Sequence, residues 1–482
     1  MKRKTTLALL TCAMLLSAVS CGGKTDVETA TTHSRDTTAA ATNAQPVQTP
    51  NTAQIRDFAT FMGADLGGFT LRLGDTKQYD IYTYSIREEM NGDVLNDALY
   101  NAYRAAEEKL NMTVEPRLYS DPGGLKSMIL SGVDECDIIT CQDLTLGGMA
   151  LQGMFLDVAK LDHIDLTAPW WPQNAVESYR INGKMVIFSN YMSYFGLSRA
   201  RVWFINKQMC GNFGMTVPYD DVFAGNWTFD KLDAMMANVY VDANGNGERD
   251  ADDTYGYTTI GGFICMQPDL GLYTYAPDKD GKLSLVFDVE RASVAIDKLY
   301  HMYYEGGGVY ANATAGRLDQ SMFKDGKTLF YFDSLGMASS DLRESDVEYG
   351  ILIMPKLDEN QSDYIVAYTD YSHAVPKTVG DADSVAWCIE ALTASGYTTV
   401  VPAFIDVSLK NKYAYDEDSA KMIDLIGEKM YVEIAYTFQA NLSMAFQNLL
   451  HPAKPSRDIA SYYEKHLAAD LKLMEQLNGL EE

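Results

Sequence analysis

Asp242–Asp253 reads DANGNGERDADD and sets oxygen-bearing residues at the spacing of a twelve-residue calcium loop. Asp242 stands at position 1, Asn244 at 3, Asn246 at 5, Glu248 at 7, Asp250 at 9 and Asp253 at 12. Calcium takes six to eight hard oxygens, and alternate residues of a tight loop present them inward, with position 7 serving through its backbone carbonyl. Gly247 at position 6 permits the sharp turn. Position 12 is Asp where Glu is usual, and the shorter side chain reaches less far for a bidentate contact. The chain has one such loop without a paired partner, so the expected role of Ca2+ is a structural clip rather than a switch.

A second chemistry is suggested by aromatic faces set beside carboxylates and amides, the combination that grips sugar rings and hydroxyls. Three places offer it. Gln142 and Asp143 follow the apolar run Asp137–Thr140, where they read either as ligand contacts or as a turn capping the next helix. Asn190–Phe195 (NYMSYF) carries Tyr191 and Tyr194, equally readable as stacking faces or as core. Tyr331–Asp333 (YFD) and Tyr368–Tyr371 (YTDY) bring Tyr331, Asp333, Asp370 and Tyr371. Alternation along a strand puts Tyr331 and Asp333 on one face. Arg199 and Arg201 are expected to snorkel at the surface, with pairing to an anionic sugar as the other reading. Trp227 is expected in the core, and one at most of Trp170 and Trp171 is expected to meet a ligand.

Catalytic signatures are thin. The sequence has no G-x-S-x-G elbow, no H-E-x-x-H and no G-x-x-x-x-G-K-[ST] loop, and its six histidines are scattered. The expectation is a binding protein and not an enzyme. Because a glycosidase needs only two carboxylates, a secreted glycan-degrading enzyme stays as a third reading.

The elements that must position these groups alternate. Phe69–Leu73 and Met112–Tyr119 read as strands, as does Asp137–Thr140. Asp93–Leu110 has apolar residues at helical spacing, and Leu125–Ser131 is helical. Further helices are expected at 228–240, 289–304, 384–392 and 419–430. Helix and strand in alternation indicate an α/β layered fold, and 482 residues exceed one core, so two lobes are expected. Five cysteines lie beyond residue 21, which argues against a dense disulfide framework; a Cys136–Cys141 bridge and reduced buried thiols both fit.

The N-terminus sets the compartment. MKRK, a short apolar stretch and SAVSC at Ser17–Cys21 form a secretory signal ending in a lipobox-like site. Residues 1–21 are therefore expected as signal peptide; the segment resembles a bacterial lipoprotein signal, which implies Cys21 as the lipid-modified residue, with an ordinary signal peptide and an incidental cysteine as the other reading. Residues 22–54, rich in Thr, Ala, Asn and Gln, are expected as a disordered tether spanning about 30 Å. No apolar run after Cys21 is expected to span a membrane. The formal net charge of −27 and pI near 4.5 disfavour nucleic acid and anionic lipid as partners.

Several short runs occur together in order. They are DLTAPWW at Asp165–Trp171, NGK at Asn182–Lys184, WFINK at Trp203–Lys207 and NWTFDKL at Asn226–Leu232. The loop followed by Tyr255–Gly256 comes next, then GKTLFYFDSL at Gly326–Leu335 and YGILIMPK at Tyr349–Lys356. In that order they resemble the extracellular solute-binding proteins of ABC importers, in the carbohydrate-binding branch that includes alginate-oligosaccharide-binding relatives. The resemblance implies a type II periplasmic-binding-protein-like fold, with two lobes joined by crossing strands that close on solute held between them. It implies lobe 1 over 55–188 with 329–395, and lobe 2 over 189–328 with 396–482. It also implies sugar contacts from Gln142 and Asp143. The function it implies is a lipid-anchored, monomeric receptor on the outer face of the cytoplasmic membrane. That receptor would deliver a carbohydrate, an oligosaccharide by expectation, to permease subunits. A surface glycan-binding lipoprotein without a transporter is the alternative.

Overall fold

Two sheets organise the chain in the computed structural model, which describes residues 63–76, 85–259, 267–312, 317–343, 345–368, 371–405 and 417–480. The signal sequence, Cys21, the tether and Asp370 lie outside the described residues.

The first sheet is built from β1 (Phe69–Thr76), β2 (Met112–Tyr119) and β3 (Ile138–Gln142). Its order is β12-β3-β1-β2, with β1 parallel to both neighbours. β12 (Tyr371–Ala374) returns from far along the chain and pairs antiparallel to β3, opposing Tyr371 to Gln142. The helix Val94–Leu110 starts where Asp93 accepts hydrogen bonds from the backbone N–H of Leu95 and Asn96. It buries Leu95, Leu99, Tyr103, Ala106 and Leu110, the apolar stripe expected from the spacing. This helix packs on Ala382–Pro402.

The second sheet runs β10-β4-β9-β5-β8, where β4 is Arg201–Asn206, β5 Tyr255–Thr259, β8 Val309–Ala311, β9 Thr328–Ser334 and β10 Tyr349–Leu352. The WFINK run gains its meaning here. Trp203, Phe204 and Ile205 are fully buried in β4, and Asn206 caps the following helix by accepting from the Met209 N–H. The hairpin of β6 (Tyr275–Pro277) and β7 (Leu283–Leu285) stands apart, and β11 (Val366–Tyr368) pairs parallel with β13 (Met430–Val432).

Sheet membership departs from the expected lobe division. β9 pairs with β4 and β5, and β10 with β4, so 328–352 belongs with the second sheet, and the chain rejoins the first only at β12. A boundary at 395 would also cut the helix Ala382–Pro402 in its middle. Alternation within β9 places its residues but does not name its sheet, which hydrogen bonding to β4 decides.

Ala382–Ile405 is long and apolar enough to cross a membrane by composition, contrary to the expectation of no such run. It is 78% buried inside the protein, so its apolar faces are used by the core. Cys136, Cys141, Cys210 and Cys388 are buried free thiols, so the Cys136–Cys141 bridge is not formed. The two residues are five apart along an extended segment, which turns them to opposite faces. Trp227 is fully buried and donates to the Ile353 carbonyl.

Candidate functional site

The C-terminal end of β3 lies beside β12, whose Tyr371 packs on Phe195 of the short helix Phe195–Ser198 that leads into β4, and this is the junction between the two sheets. Asp143 is buried there, and its Oδ2 accepts from the Tyr179 hydroxyl at 3.0 Å. Tyr179 in turn shares a 2.7 Å hydrogen bond with Ser372 on β12. Gln142, half-buried, precedes Asp143. Tyr371 is buried, packs 5.4 Å from Phe195, and donates to Asp75 Oδ1 at 2.6 Å. Its hydroxyl belongs to the wall, and burial together with the Asp75 charge pushes its pKa well above the usual phenol range.

Tyr191 and Tyr194 are also buried. Tyr191 packs with Tyr397 and Val401, and Tyr194 lies 5.4 Å from Phe404, so both rings sit against the end of the 382–405 helix. Trp170 and Trp171 both point their indole N–H groups at one carboxylate. Glu390 accepts from Trp170 at 2.5 Å and from Trp171 at 3.0 Å, one to each oxygen. Burial raises Glu390 to about 7, against the pull of both indoles.

On the second sheet, Tyr331 and Asp333 share a face, as alternation requires, and Tyr331 donates to Asp333 Oδ2 at 2.6 Å. The Tyr331 ring is fully buried, 5.9 Å from Phe204 and 5.5 Å from Phe323, so its faces are taken by the core. Asp333 also accepts from Arg317 at 3.1 Å, from Arg201 at 3.4 Å and from the Ser334 N–H. Burial works to raise its pKa, but Arg201 and these hydrogen bonds outweigh burial and hold it below the usual carboxylate range. Arg317 holds a left-handed backbone, φ +58°, a conformation costing roughly 1 kcal/mol for a residue with a Cβ. Such strain is kept where the surroundings fix it.

Sequence reasoning missed three groups at this junction. Arg201 is not a surface arginine. Its guanidinium lies over Phe332 and toward Asp333, and its side chain is only 29% exposed. A usable signal existed, since Arg201 alternates onto the face of Trp203, which is fully buried. Tyr436, half-buried, lies on the short helix Ile434–Thr437 that packs on Asp143–Ala150. Burial raises its pKa and Asp143 adds to that, while the nearby Arg201 and Arg199 oppose it. Gly147 makes this packing possible, because a Cβ there would lie 2.2 Å from the Thr437 carbonyl oxygen. Glu433 caps the same helix through Ala435 N–H, at the end of β13 beside the half-buried pair Tyr273 and Tyr431. Its Oε2 is buried without a hydrogen-bond partner among the described residues. Burial first and then Asp269 raise Glu433 to about 8, so it is protonated at neutral pH.

The loop at 242–253 stands elsewhere and is organised by its own backbone. Asp242 accepts from the N–H of Gly245 and Gly247, Asn244 from Asn246, Asn246 from Glu248, and Asp250 from Asp252. Gly247 takes φ +76°, the turn expected at position 6. Asp253 is fully buried and accepts from Ala243 and Asp250 N–H and from the Tyr240 and Tyr255 hydroxyls, with no ion pair among the described residues. Arg249 lies against a pair of packed rings, 4.2 Å from Tyr240 and 4.9 Å from Tyr255, whose centroids are 5.4 Å apart. The carboxylates and amide oxygens suit a hard cation in kind. Among the described residues no three His, Cys, Asp or Glu side chains are gathered as a metal would need, so the loop's amide and backbone oxygens would have to complete the set.

No family model matches the chain, and no curated protein matches it. Solved structures do. A sugar transporter of Rhizobium etli in an open conformation is 15% identical, covering 86% of this chain and 98% of that one, with a TM-score of 0.55. The galacto-N-biose/lacto-N-biose I-binding protein of a Bifidobacterium longum ABC transporter, bound to lacto-N-biose, is 14% identical over 85% and 99%, with a TM-score of 0.55. The GacH receptor of Streptomyces glaucescens, solved unliganded and with acarbose, is 12% identical over 84% and 99%, with a TM-score of 0.54. At these identities the likeness establishes the fold, the two-domain α/β architecture of solute-binding proteins.

Proposed function

We propose that this chain is the receptor subunit of an ABC importer, capturing a carbohydrate between its two sheets. The observation that carries this reading is the junction itself. Asp143 from the first sheet and Arg201 from the second both act on Tyr436 there, on a fold shared with sugar-binding receptors over 84–86% of the chain. Asp143, Asp333, Tyr436 and protonated Glu433 offer donors and acceptors of the kind sugar hydroxyls need. Contacts from both sides exist together only when the lobes close, which gives ligand binding a means to drive closure. Lipidation at Cys21, a tether over 22–54, a position on the outer face of the membrane and delivery to a permease complete the proposal. A calcium ion in the 242–253 loop would act as a clip on the second lobe, held by Asp242, Asn244, Asn246, Asp250, Asp253 and the Glu248 carbonyl.

The test is thermal unfolding against mono- and oligosaccharides in calcium buffer. A ligand at about 100 times its dissociation constant adds about 2.7 kcal/mol of stability. A saturable shift with selected sugars is expected; a cooperative transition that no sugar moves would overturn the carbohydrate reading.

A further inference from the structure

Arginine chemistry at the junction is in excess of what the protein itself uses. Arg199 is half-buried, and among the described residues its side chain makes no ion pair and no hydrogen bond; its guanidinium rests over Phe195 at 5.7 Å. Arg201 uses one N–H in a 3.4 Å bond to Asp333, a carboxylate already engaged by Tyr331, Arg317 and the Ser334 N–H. A guanidinium has five N–H donors, so most of the donors of both arginines stay open. The Tyr436 hydroxyl, within the field of both, makes no hydrogen bond with a described residue. The other nearby carboxylates are engaged elsewhere: Asp143 accepts from Tyr179, Asp269 from the Ala367 N–H, and neither forms an ion pair with either arginine.

Two half-buried like charges, only one of them paired and that with an already engaged carboxylate, repel one another in a medium that screens poorly. The lowering of Arg201 basicity by burial and by Arg199 is a symptom of this. The chain has carboxylates to spare, at a formal net charge of −27, yet among the described residues only Asp333 pairs with either arginine. A neutral hydroxyl would occupy donors without relieving the repulsion. An oxyanion does both, and its planar or tetrahedral oxygens match a guanidinium fork.

We propose that the saccharide taken at this junction carries an anionic group, a carboxylate or a sulfate, seated on Arg199 and Arg201 beside the Tyr436 hydroxyl. This rests on the carbohydrate-capture reading and narrows its substrate class. It also places the acidic ligand in a local basic pocket of an otherwise acidic protein, so binding is short-ranged and weakens with salt.

The experiment is calorimetric titration of the full chain with three sets of probes. One is oligogalacturonates and glucuronoxylan oligosaccharides, each before and after carboxyl reduction. The second is carrageenan oligosaccharides before and after desulfation. The third is neutral maltotriose and galactotriose. The expected result is binding of an acidic probe at least about tenfold tighter than its neutralised twin, a gap that Arg199→Gln removes and Arg199→Lys largely keeps. Preference for carboxylate or for sulfate probes identifies the source of the charge. Equal or tighter binding of the neutral twins overturns the inference and leaves carbohydrate capture standing. Binding of no probe in any set, by a chain that still unfolds cooperatively, overturns both.

Discussion

In the 242–253 loop, carboxylates are met by N–H groups from within the same few residues, as when Asp242 accepts from Gly245 and Gly247. At the junction, Asp333 is held by Arg201 from 132 positions away, and Tyr371 reaches Asp75 across 296 positions. The loop consumes its own polar capacity, whereas the junction leaves donors open on Arg199, Arg201 and Tyr436. A self-contained polar segment is built to hold shape. A polar cluster drawn from distant segments, with capacity to spare, is built to hold something else.

The contrast can be broken at several points, beginning with the largest effect. Asp333→Ala leaves Arg201, Arg317 and the Tyr331 hydroxyl without their common acceptor. Denaturant unfolding should show a loss of about 3 kcal/mol, and sugar binding should vanish with it. Full stability with unchanged affinity would mean the cluster is neither a brace nor a site.

The calcium proposal concerns the other region. Saturating Ca2+ should raise stability by about 2–3 kcal/mol, an increment that Asp242→Asn abolishes without changing sugar affinity measured in the same buffer. No calcium response would leave the loop a turn pinned by Arg249 and its backbone.

Protons separate the two regions by sign. Glu433 has its folded pKa raised to about 8 from 4.5, so the folded state holds this proton more tightly than the unfolded chain. The stability it supports is full below 4.5 and is lost as pH rises through 8; Glu390, raised to about 7, acts the same way over a narrower window. Asp250 in the loop is lowered by the Asp252 N–H and by Asn246 and Asn244, so its contribution is present above 3.8 and lost on acidification below it. Unfolding between about pH 5 and about pH 9 should cost the wild type on the order of 2 kcal/mol, and Glu433→Gln should flatten that slope. A slope unchanged in the variant would remove Glu433 from the account.

The smallest effect is Arg249→Leu, which removes the cation resting against Tyr240 and Tyr255 and should cost about 1 kcal/mol. Sugar affinity should not move; a change would couple the two regions.

Legibility in the sequence followed the same division. The turn at 242–253 was readable because its oxygen-bearing residues and its glycine lie in one run, and the strands and helices of the first sheet were readable because Asp93, Leu95, Leu99 and Tyr103 announce a capped, one-sided helix. The sheet that β9 joins was not readable, since pairing between Phe332 and Trp203 is a long-range fact. At the junction, the Tyr331–Asp333 pair was visible through alternation. Tyr436 and Glu433 lie in a short run without periodicity, and the approach of Tyr436 to Asp143 depends on the absent Cβ of Gly147, which no local pattern records.

Solution scattering of the chain with and without a saccharide that shifts its melting most directly tests whether solute is held between the two sheets. Closure around ligand predicts a smaller radius of gyration in the saturated sample, lost again in Asp333→Ala. Saturable binding with an unchanged radius, undiminished by Asp333→Ala, would place the ligand elsewhere and contradict capture at the junction.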